Sequence, residues 1–181
     1  MKTMRGGMLL MAIMGPAFVL AQAVPAVAKP GAEITKFASL LVGTWTYEAT
    51  AKANPYGPAG KVTGTDVFEA GPGGHSVYHK WDEKNPVAPT TGLEVIAWDA
   101  MKKALVDSYY SSLGEVGSGS LSIAGSVYTF NTSGTTYEGK QGWSKCDWNL
   151  TNPRSMKVSC DASGDRKTWS KAVFTGTWTR K

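Results

Sequence analysis

The stretch LVGTWTYE, residues 41–48, decides the fold of this 181-residue chain. Every second residue from Leu41 to Tyr47 is apolar or glycine, and the positions between them hold Val42, Thr44, Thr46 and Glu48. A period of two is typical of a strand with one buried face and one wet face, as in an antiparallel sheet packed on one side. The stretch therefore predicts the first strand of an all-β domain.

The end of the chain repeats this first strand. The sequence GTWT at residues 43–46 recurs at residues 176–179, again with apolar and polar residues in alternation. If the sheet closes on itself, the first and last strands must pair, and closure leaves no exposed sheet edge. The two stretches therefore predict the seam of a closed or nearly closed antiparallel up-and-down barrel.

Between the two stretches, short runs rich in Thr, Val, Tyr and Trp alternate with clusters of Gly, Pro, Asn and Ser. Such punctuation is typical of strands joined by tight turns. We expect about ten strands, at 43–52, 61–69, 74–82, 92–98, 103–111, 116–124, 126–131, 135–148, 155–161 and 167–179. One helix precedes them, because Ile34, Phe37 and Leu41 recur at helical spacing after Pro30.

The predicted loops differ in length between the two ends of the barrel. Connections after odd-numbered strands fall at 53–60, 83–91 and 112–115, whereas those after even-numbered strands are tight turns such as 71–74 and 99–102. The helix arrives at the end with the tight turns. We therefore expect a cup that the helix plugs at one end and that could hold a small ligand at the other.

The N-terminus has the features of a secretory signal peptide. A start with two basic and no acidic residues leads into an apolar stretch at 8–20 and a small-x-small site at 26–28. A membrane-spanning helix needs roughly 20 apolar residues, and this stretch is shorter. We expect cleavage after Ala28, with 21–23 as a weaker alternative site. The barrel domain, residues 29–181, would then be exported to the periplasm or secreted, without stable membrane insertion.

The charge of the chain excludes one class of partner. The full chain carries a formal net charge of +5, and loss of Lys2 and Arg5 with the signal peptide leaves the mature domain near +3. The basic residues are spread along the sequence and form no stripe of the kind that nucleic-acid-binding proteins carry. We therefore expect no nucleic-acid partner, and the sequence leaves the oligomeric state open.

The two cysteines, Cys146 and Cys160, are expected to form a disulfide in an oxidising compartment. The segment 149–155 between them is typical of a turn centred on Pro153, and each cysteine lies seven residues from that centre. A hairpin with this register places the two directly opposite each other. A redox-active pair would be expected to show a Cys-x-x-Cys spacing, which is missing.

Several stretches carry a family resemblance. A helix leading into LVGTW at 41–45 is similar to the start of lipocalin-like (calycin-type) barrels, where Gly-x-Trp opens the first strand. The stretch GLEVIAWDAMKK at 92–103, continuing into Val106-Asp107-Ser108, and the closing GTWTRK at 176–181 resemble one bacterial family of exported proteins that is a domain of unknown function. This resemblance implies a closed barrel in the periplasm and brings no catalytic residues.

A more distant barrel relative, the haem-binding nitrobindin type, uses a histidine near its C-terminus as iron ligand. The present chain has no histidine after His79, so the resemblance implies no haem. His75 and His79 lie on a predicted strand, about 13 Å apart, which is too far for a shared zinc ion. No serine lies in a Gly-x-Ser-x-Gly elbow. The sequence therefore predicts no metal, no cofactor and no catalytic residue.

Aromatic residues on the inward face favour a small-molecule site. We expect a small apolar or amphipathic ligand to be lined by Trp45, Tyr47, His79, Trp81 and Trp98. One alternative is an enzyme that uses the same cup, with His79 and either Asp66 or Asp107 as acid and base. The other is an interaction or structural module whose barrel is simply filled with side chains.

Overall fold

The chain folds as one helix followed by ten antiparallel strands. The structure is a computed structural model that describes residues 29–181. For Thr151 it describes the backbone alone. The predicted signal peptide at 1–28 lies outside the described residues. The elements are α1 (Ala32–Leu41), β1 (Gly43–Ala51), β2 (Gly60–Ala70), β3 (Ser76–Lys84), β4 (Pro89–Asp99), β5 (Ala104–Ser111), β6 (Val116–Ala124), β7 (Val127–Thr135), β8 (Gln141–Asn152), β9 (Ser155–Ser163) and β10 (Ser170–Arg180).

The sheet is a closed up-and-down barrel, which confirms the predicted fold class. Each strand pairs with its neighbours in sequence, and β1 pairs with β10. At this seam Thr46 lies opposite Thr179 and Tyr47 lies opposite Trp178. The rings of Tyr47 and Trp178 stack with centroids 4.4 Å apart. The repeated GTWT stretches therefore do form the two sides of the seam.

Helix α1 closes one end of the barrel, as the sequence predicts. The side chains of Ile34, Phe37 and Leu41 are fully buried, and Phe37 packs edge-to-face on Tyr128 with ring centroids 5.4 Å apart. The carbonyl of Leu41 accepts a hydrogen bond of 2.9 Å from the indole nitrogen of Trp45. Within residues 29–181 no helix is both long and apolar enough to span a bilayer. We call this end the helix end and the opposite end the open end.

The strand predicted at 135–148 is wrong at its start. Strand β7 runs on to Thr135, and β8 begins only at Gln141. Between them the Thr136 amide donates to the Lys140 carbonyl at 2.8 Å, and Gly139 adopts a φ of 76°. A left-handed residue at this point reverses the chain, and glycine adopts that conformation without a steric penalty. The segment 136–140 is therefore a further turn at the open end.

The connection between β3 and β4 is also shorter than expected. Strand β3 continues to Lys84 and β4 starts at Pro89, so the predicted loop at 83–91 contracts to 85–88. The Asn85 side chain organises it, because its carbonyl oxygen accepts hydrogen bonds from the amides of Val87 and Ala88 at 2.8 and 3.1 Å. This is an Asx-type turn, which holds a short loop in a fixed shape. Together with residues 52–59, it frames the open end.

The hairpin of β8 and β9 confirms the predicted disulfide. Cys146 lies directly opposite Cys160, and their sulfur atoms are bonded. Both residues line the interior of the barrel, on the phase of the strands that also carries Trp148 and Val158. The disulfide therefore ties two neighbouring strands together on the wall of the barrel interior.

Candidate functional site

A cavity opens at the open end and extends into the barrel. Its outer chamber has a volume of about 330 Å³ and is bordered by side chains of the loops 52–59 and 85–88. An inner chamber of about 210 Å³ lies beneath it. Eight residues line both chambers, which are therefore continuous, and we call them the junction: Trp81, Glu83, Glu94, Tyr109, Cys146, Trp148, Cys160 and Phe174.

Glycines on neighbouring strands set the position of two junction rings. Trp81 lies directly opposite Gly92, and a Cβ atom on Gly92 would lie 1.9 Å from the indole. Tyr109 lies opposite Gly117 in the same way, with 2.4 Å between such a Cβ atom and the ring. Only glycine permits this close approach of a ring to the backbone. The two rings therefore lie flat on the wall.

His79 lies in the inner chamber between two carboxylates. It faces Glu94 across β3 and β4, and its Nδ1 lies 2.8 Å from Glu94 Oε2. Its Nε2 lies 3.3 Å from Asp66 Oδ2, an ion pair without hydrogen-bond geometry. Burial alone would lower the pKa of His79, but the carboxylates of Asp66 and Glu94 outweigh it and raise that pKa to about 9. The ring is therefore an imidazolium at neutral pH, with both nitrogens engaged.

A second carboxylate in the junction, that of Glu83, is held by neutral donors. The Tyr47 hydroxyl donates to Glu83 Oε2 at 2.7 Å, and the Asn85 amide donates to Oε1 at 2.6 Å. Burial first, and then the charges of Glu83 and Asp66, raise the pKa of Tyr47 above its ordinary value. The phenol therefore remains protonated and acts as a fixed donor. It orients Glu83 at the point where the two chambers meet.

Asp107 is a buried carboxyl group close to this cluster in the strand register. It is 2% exposed, and neither of its oxygens accepts a hydrogen bond from the described part of the chain. Burial, and then the charge of Glu94, raise the pKa of Asp107 to about 7. Asp107 lies opposite Ile96, and Glu94 lies opposite Tyr109. Asp107 is therefore two residues further along the paired strands than Glu94, on the same face. It does not belong to the described lining of either chamber.

The structure divides the five residues that the sequence analysis proposed as a lining. Tyr47, His79 and Trp81 come together in the inner chamber. Trp45 is fully buried at the helix end, where the guanidinium of Arg180 lies 4.6 Å from its ring centroid. Trp98 also lies there, against Gly31 before the start of α1. All five are on the inward phase of their strands, and their height along the barrel separates them.

Sequence reasoning missed most of the junction, above all Glu83 and Glu94. A signal for both was present, since each carboxylate occupies the apolar phase of its strand. Glu83 continues the inward series of His79 and Trp81, and Glu94 shares its face with Ile96. Across residues 29–181 no three His, Cys, Asp or Glu side chains are arranged to hold a metal ion. The cavity thus combines aromatic walls with carboxylates.

The profile of a family described as "protein of unknown function (DUF1579)" matches residues 29–180. The chain matches no curated protein. Among solved structures it is similar to Rv2717c from M. tuberculosis, with a TM-score of 0.61 and 13% identity over 83% of this chain and 98% of that chain. It is also similar to the S-type phycobiliprotein lyase CPES from Guillardia theta, with a TM-score of 0.54 and 10% identity over 82% and 92% of the two chains.

At these identities the two structures establish a shared barrel fold and nothing about activity. The family match is of another kind, because it spans nearly the whole of the described chain, from Lys29 to Arg180. It also confirms the resemblance that the stretches 92–103 and 176–181 carry. The chain therefore belongs to the DUF1579 family, whose function is unknown.

Proposed function

We propose that this protein binds a small apolar or amphipathic molecule in the cavity at its open end. The two-chambered cavity carries the proposal. Its outer chamber, about 330 Å³, lies within the range of small-molecule sites, roughly 300–1,000 Å³, and the inner chamber adds about 210 Å³. Aromatic walls with a few fixed polar groups are the usual make-up of such sites. A barrel filled with side chains would have no such space.

The arrangement of His79 favours binding over acid–base chemistry. Both ring nitrogens face carboxylates, and the ring itself stacks on Phe68 with centroids 4.3 Å apart. A general base needs an unprotonated nitrogen within hydrogen-bond reach of the substrate proton, whereas His79 is an imidazolium whose two nitrogens both face carboxylates. Of the two carboxyl candidates, Asp66 accepts a hydrogen bond of 2.6 Å from the Trp178 indole and faces His79, and Asp107 lies outside the described lining of the cavity. We therefore prefer a binding role to an enzyme built on this cluster.

We also propose that the mature protein, residues 29–181, is exported after cleavage of residues 1–28. The Cys146–Cys160 disulfide supports this location, because structural disulfides persist in oxidising compartments. Intact-mass analysis of the protein recovered from the periplasm of a bacterial host should give a chain that starts at Lys29. A chain that retains residues 1–28 and stays with the cytoplasmic fraction would contradict the export proposal.

The binding proposal is tested with the neutral fluorescent dye N-phenyl-1-naphthylamine. We expect saturable binding of one dye per chain, seen as enhanced dye emission. A Ser144→Trp variant should abolish it, because Ser144 lines the outer chamber and a tryptophan there fills the space. Ser159→Trp is the matched control, since Ser159 is exposed on the outside of β9. Equal dye binding by both variants, or none by wild type, would contradict the proposal.

A further inference from the structure

The junction between the two chambers combines negative charge with aromatic surface. Glu83 and Glu94 lie on neighbouring strands, and the rings of Trp81, Trp148 and Phe174 line the same space. We infer that the junction binds the positively charged group of an organic cation whose apolar body occupies the outer chamber. This inference rests on the proposed binding function and names the chemical class of its ligand.

The first argument is the charge balance of the lining. None of the described residues that line either chamber is a lysine or an arginine, and the one basic group among them is His79. Its imidazole is shared between Asp66 and Glu94. Glu83 is hydrogen-bonded by neutral donors only, the Tyr47 hydroxyl and the Asn85 amide. The junction therefore holds more negative than positive charge, and a buried charge without a counter-charge is unfavourable. A cationic ligand would supply the missing charge.

The second argument is an unused acceptor on Glu94. This side chain is only 8% exposed, and its Oε2 is taken by His79 Nδ1 at 2.8 Å. Its other oxygen, Oε1, has no hydrogen bond from the described residues and is not among the buried, sealed acceptors, so it is open to the cavity. Glu94 lines both chambers, so the ligand is the group best placed to approach that oxygen. An ammonium group that donates to Glu94 would satisfy it.

The third argument is the surface around the carboxylates. The faces of indole and phenyl rings carry negative electrostatic potential and attract cations, most strongly where water is excluded. In the junction Trp148 packs edge-to-face against His79 and is tilted at 4.4 Å from Phe130, so its orientation is fixed by its neighbours. The same walls repel an anionic ligand. An aromatic amine or a quaternary ammonium compound fits this combination of rings and carboxylates.

A matched pair of ligands separates charge from shape. Phenyltrimethylammonium and tert-butylbenzene have the same outline, and they differ by a nitrogen cation in place of a carbon. We expect the cation to displace N-phenyl-1-naphthylamine at a concentration about tenfold lower than the hydrocarbon. Isothermal titration calorimetry with phenyltrimethylammonium alone should also detect binding below about 1 mM.

Three variants test whether the junction carboxylates are responsible for the affinity for the cation. Glu83→Gln and Glu94→Gln keep the shape of the junction and remove one negative charge each, so each should weaken cation binding by about tenfold. Hydrocarbon binding should stay unchanged in both. Glu69→Gln removes the same charge from the outer surface, where Glu69 pairs with Lys80, and should change neither affinity. Circular dichroism melting curves verify that each variant is folded. If Glu94→Gln does not fold, the cation affinity of Glu83→Gln alone tests the inference.

The outcomes distinguish this inference from the proposed function. Saturable dye binding with equal displacement by the two ligands would overturn the inference and leave the binding function intact. Absence of calorimetric binding of the cation, or equal affinity in wild type, Glu83→Gln and Glu94→Gln, would also overturn it. Failure of wild type to bind the dye would contradict the proposed function as stated above, whereas calorimetric binding of the cation with the expected dependence on Glu83 would still support the inference.

Discussion

The helix end and the open end of the barrel are built from the same ten strands, and they differ in what occupies the inward positions. At the helix end these positions hold large apolar residues such as Phe68, Ile96 and Met156, all fully buried in the same core cluster as the apolar side chains of α1. At the open end they hold glycines, carboxylates and rings that lie flat on the wall. The cavity therefore arises from the composition of one end, since strand pairing is continuous through both.

This difference separates stability from recognition. Burial of apolar surface at the helix end stabilises the fold, at roughly 25 cal/mol for each Å² removed from water. At the open end, a buried carboxylate such as that of Glu94 is unfavourable for folding, because it has lost water and His79 compensates only one of its two oxygens. Buried ionisable groups of this kind are found preferentially at functional sites. The comparison thus predicts unequal responses of the two ends to the same substitution.

The largest effect is expected from removal of a phenylalanine ring at the helix end. Phe37→Ala should lower the free energy of unfolding by about 4 kcal/mol, because the ring is fully buried and packs on Tyr128 and Phe130. Phe174→Ala should cost roughly half as much, since Phe174 borders the cavity and is only partly buried. Urea denaturation at equilibrium measures both values.

Dye binding by Phe37→Ala and Phe174→Ala complements the stability measurement. Phe174→Ala should weaken binding of N-phenyl-1-naphthylamine, because the ring lines both chambers. Phe37→Ala, assayed below its unfolding transition, should leave it unchanged. Equal losses of stability in the two variants, or a loss of dye binding in Phe37→Ala alone, would contradict the division of roles between the ends.

The disulfide offers a second test, because it is the covalent link of the cavity wall. Replacing both cysteines, Cys146→Ser with Cys160→Ser, should lower the free energy of unfolding by roughly 3 kcal/mol, the chain-entropy value for a separation of 14 residues. Reducing agent should lower wild type to the same level and leave the double variant unaffected. Identical melting temperatures for oxidised and reduced wild type would show that the link contributes nothing to stability.

The paired histidine of the inner chamber predicts a pH dependence. The pKa of His79 is about 9 in the folded protein and about 6.5 in an unfolded chain. Because the folded-state pKa is the higher, the ion pairs with Asp66 and Glu94 stabilise the fold fully below pH 6.5, and this contribution is lost as the pH rises through 9. We expect wild type to lose about 2 kcal/mol of unfolding free energy over this window.

His79→Gln is the variant that isolates this contribution. Its unfolding free energy should be lower at pH 7 and should change less between pH 7 and 9, a range above the Asp107 pKa of about 7. NMR titration of the imidazole, assigned with a His75→Gln variant, should give a midpoint near 9 for His79. Parallel stability curves for wild type and His79→Gln would contradict the ion-pair assignment.

Much of the fold follows from the sequence alone. The alternation at 41–48 and its repeat at 176–179 predict the closed barrel, and the spacing of the cysteines about Pro153 predicts their register. The alternation, its repeat and the cysteine spacing can each be recognised within one strand or one hairpin, without knowing how distant strands pair. The turn at 136–140 escaped prediction, because it begins with Thr136 and Tyr137, residue types that are typical of strands. Only the positive φ of Gly139 reveals that the chain reverses there.

The site was predicted less completely, for a physical reason. Alternation tells which face a residue occupies, so Tyr47, His79 and Trp81 could be placed inside. It does not tell how far along the barrel axis a residue lies, so it could not disclose that Trp98 lies at the helix end, against Gly31. The role of Glu94 depends on its register opposite His79, which a single strand cannot disclose. Cross-strand pairs assemble this site, and they become visible only once the strands are paired.

The smallest effect is expected from one added methyl group at the open end. In Gly92→Ala the new Cβ would lie 1.9 Å from the present position of the Trp81 ring, so the ring must move toward the cavity. We expect a stability loss of about 1 kcal/mol from overpacking and weaker dye binding in the reduced space. Ala97→Val adds bulk to the outer face of the same strand, where dye binding should not respond. If Gly92→Ala bound the dye as tightly as wild type, the ring would not form the wall, and the small inward residues would not account for the difference between the two ends.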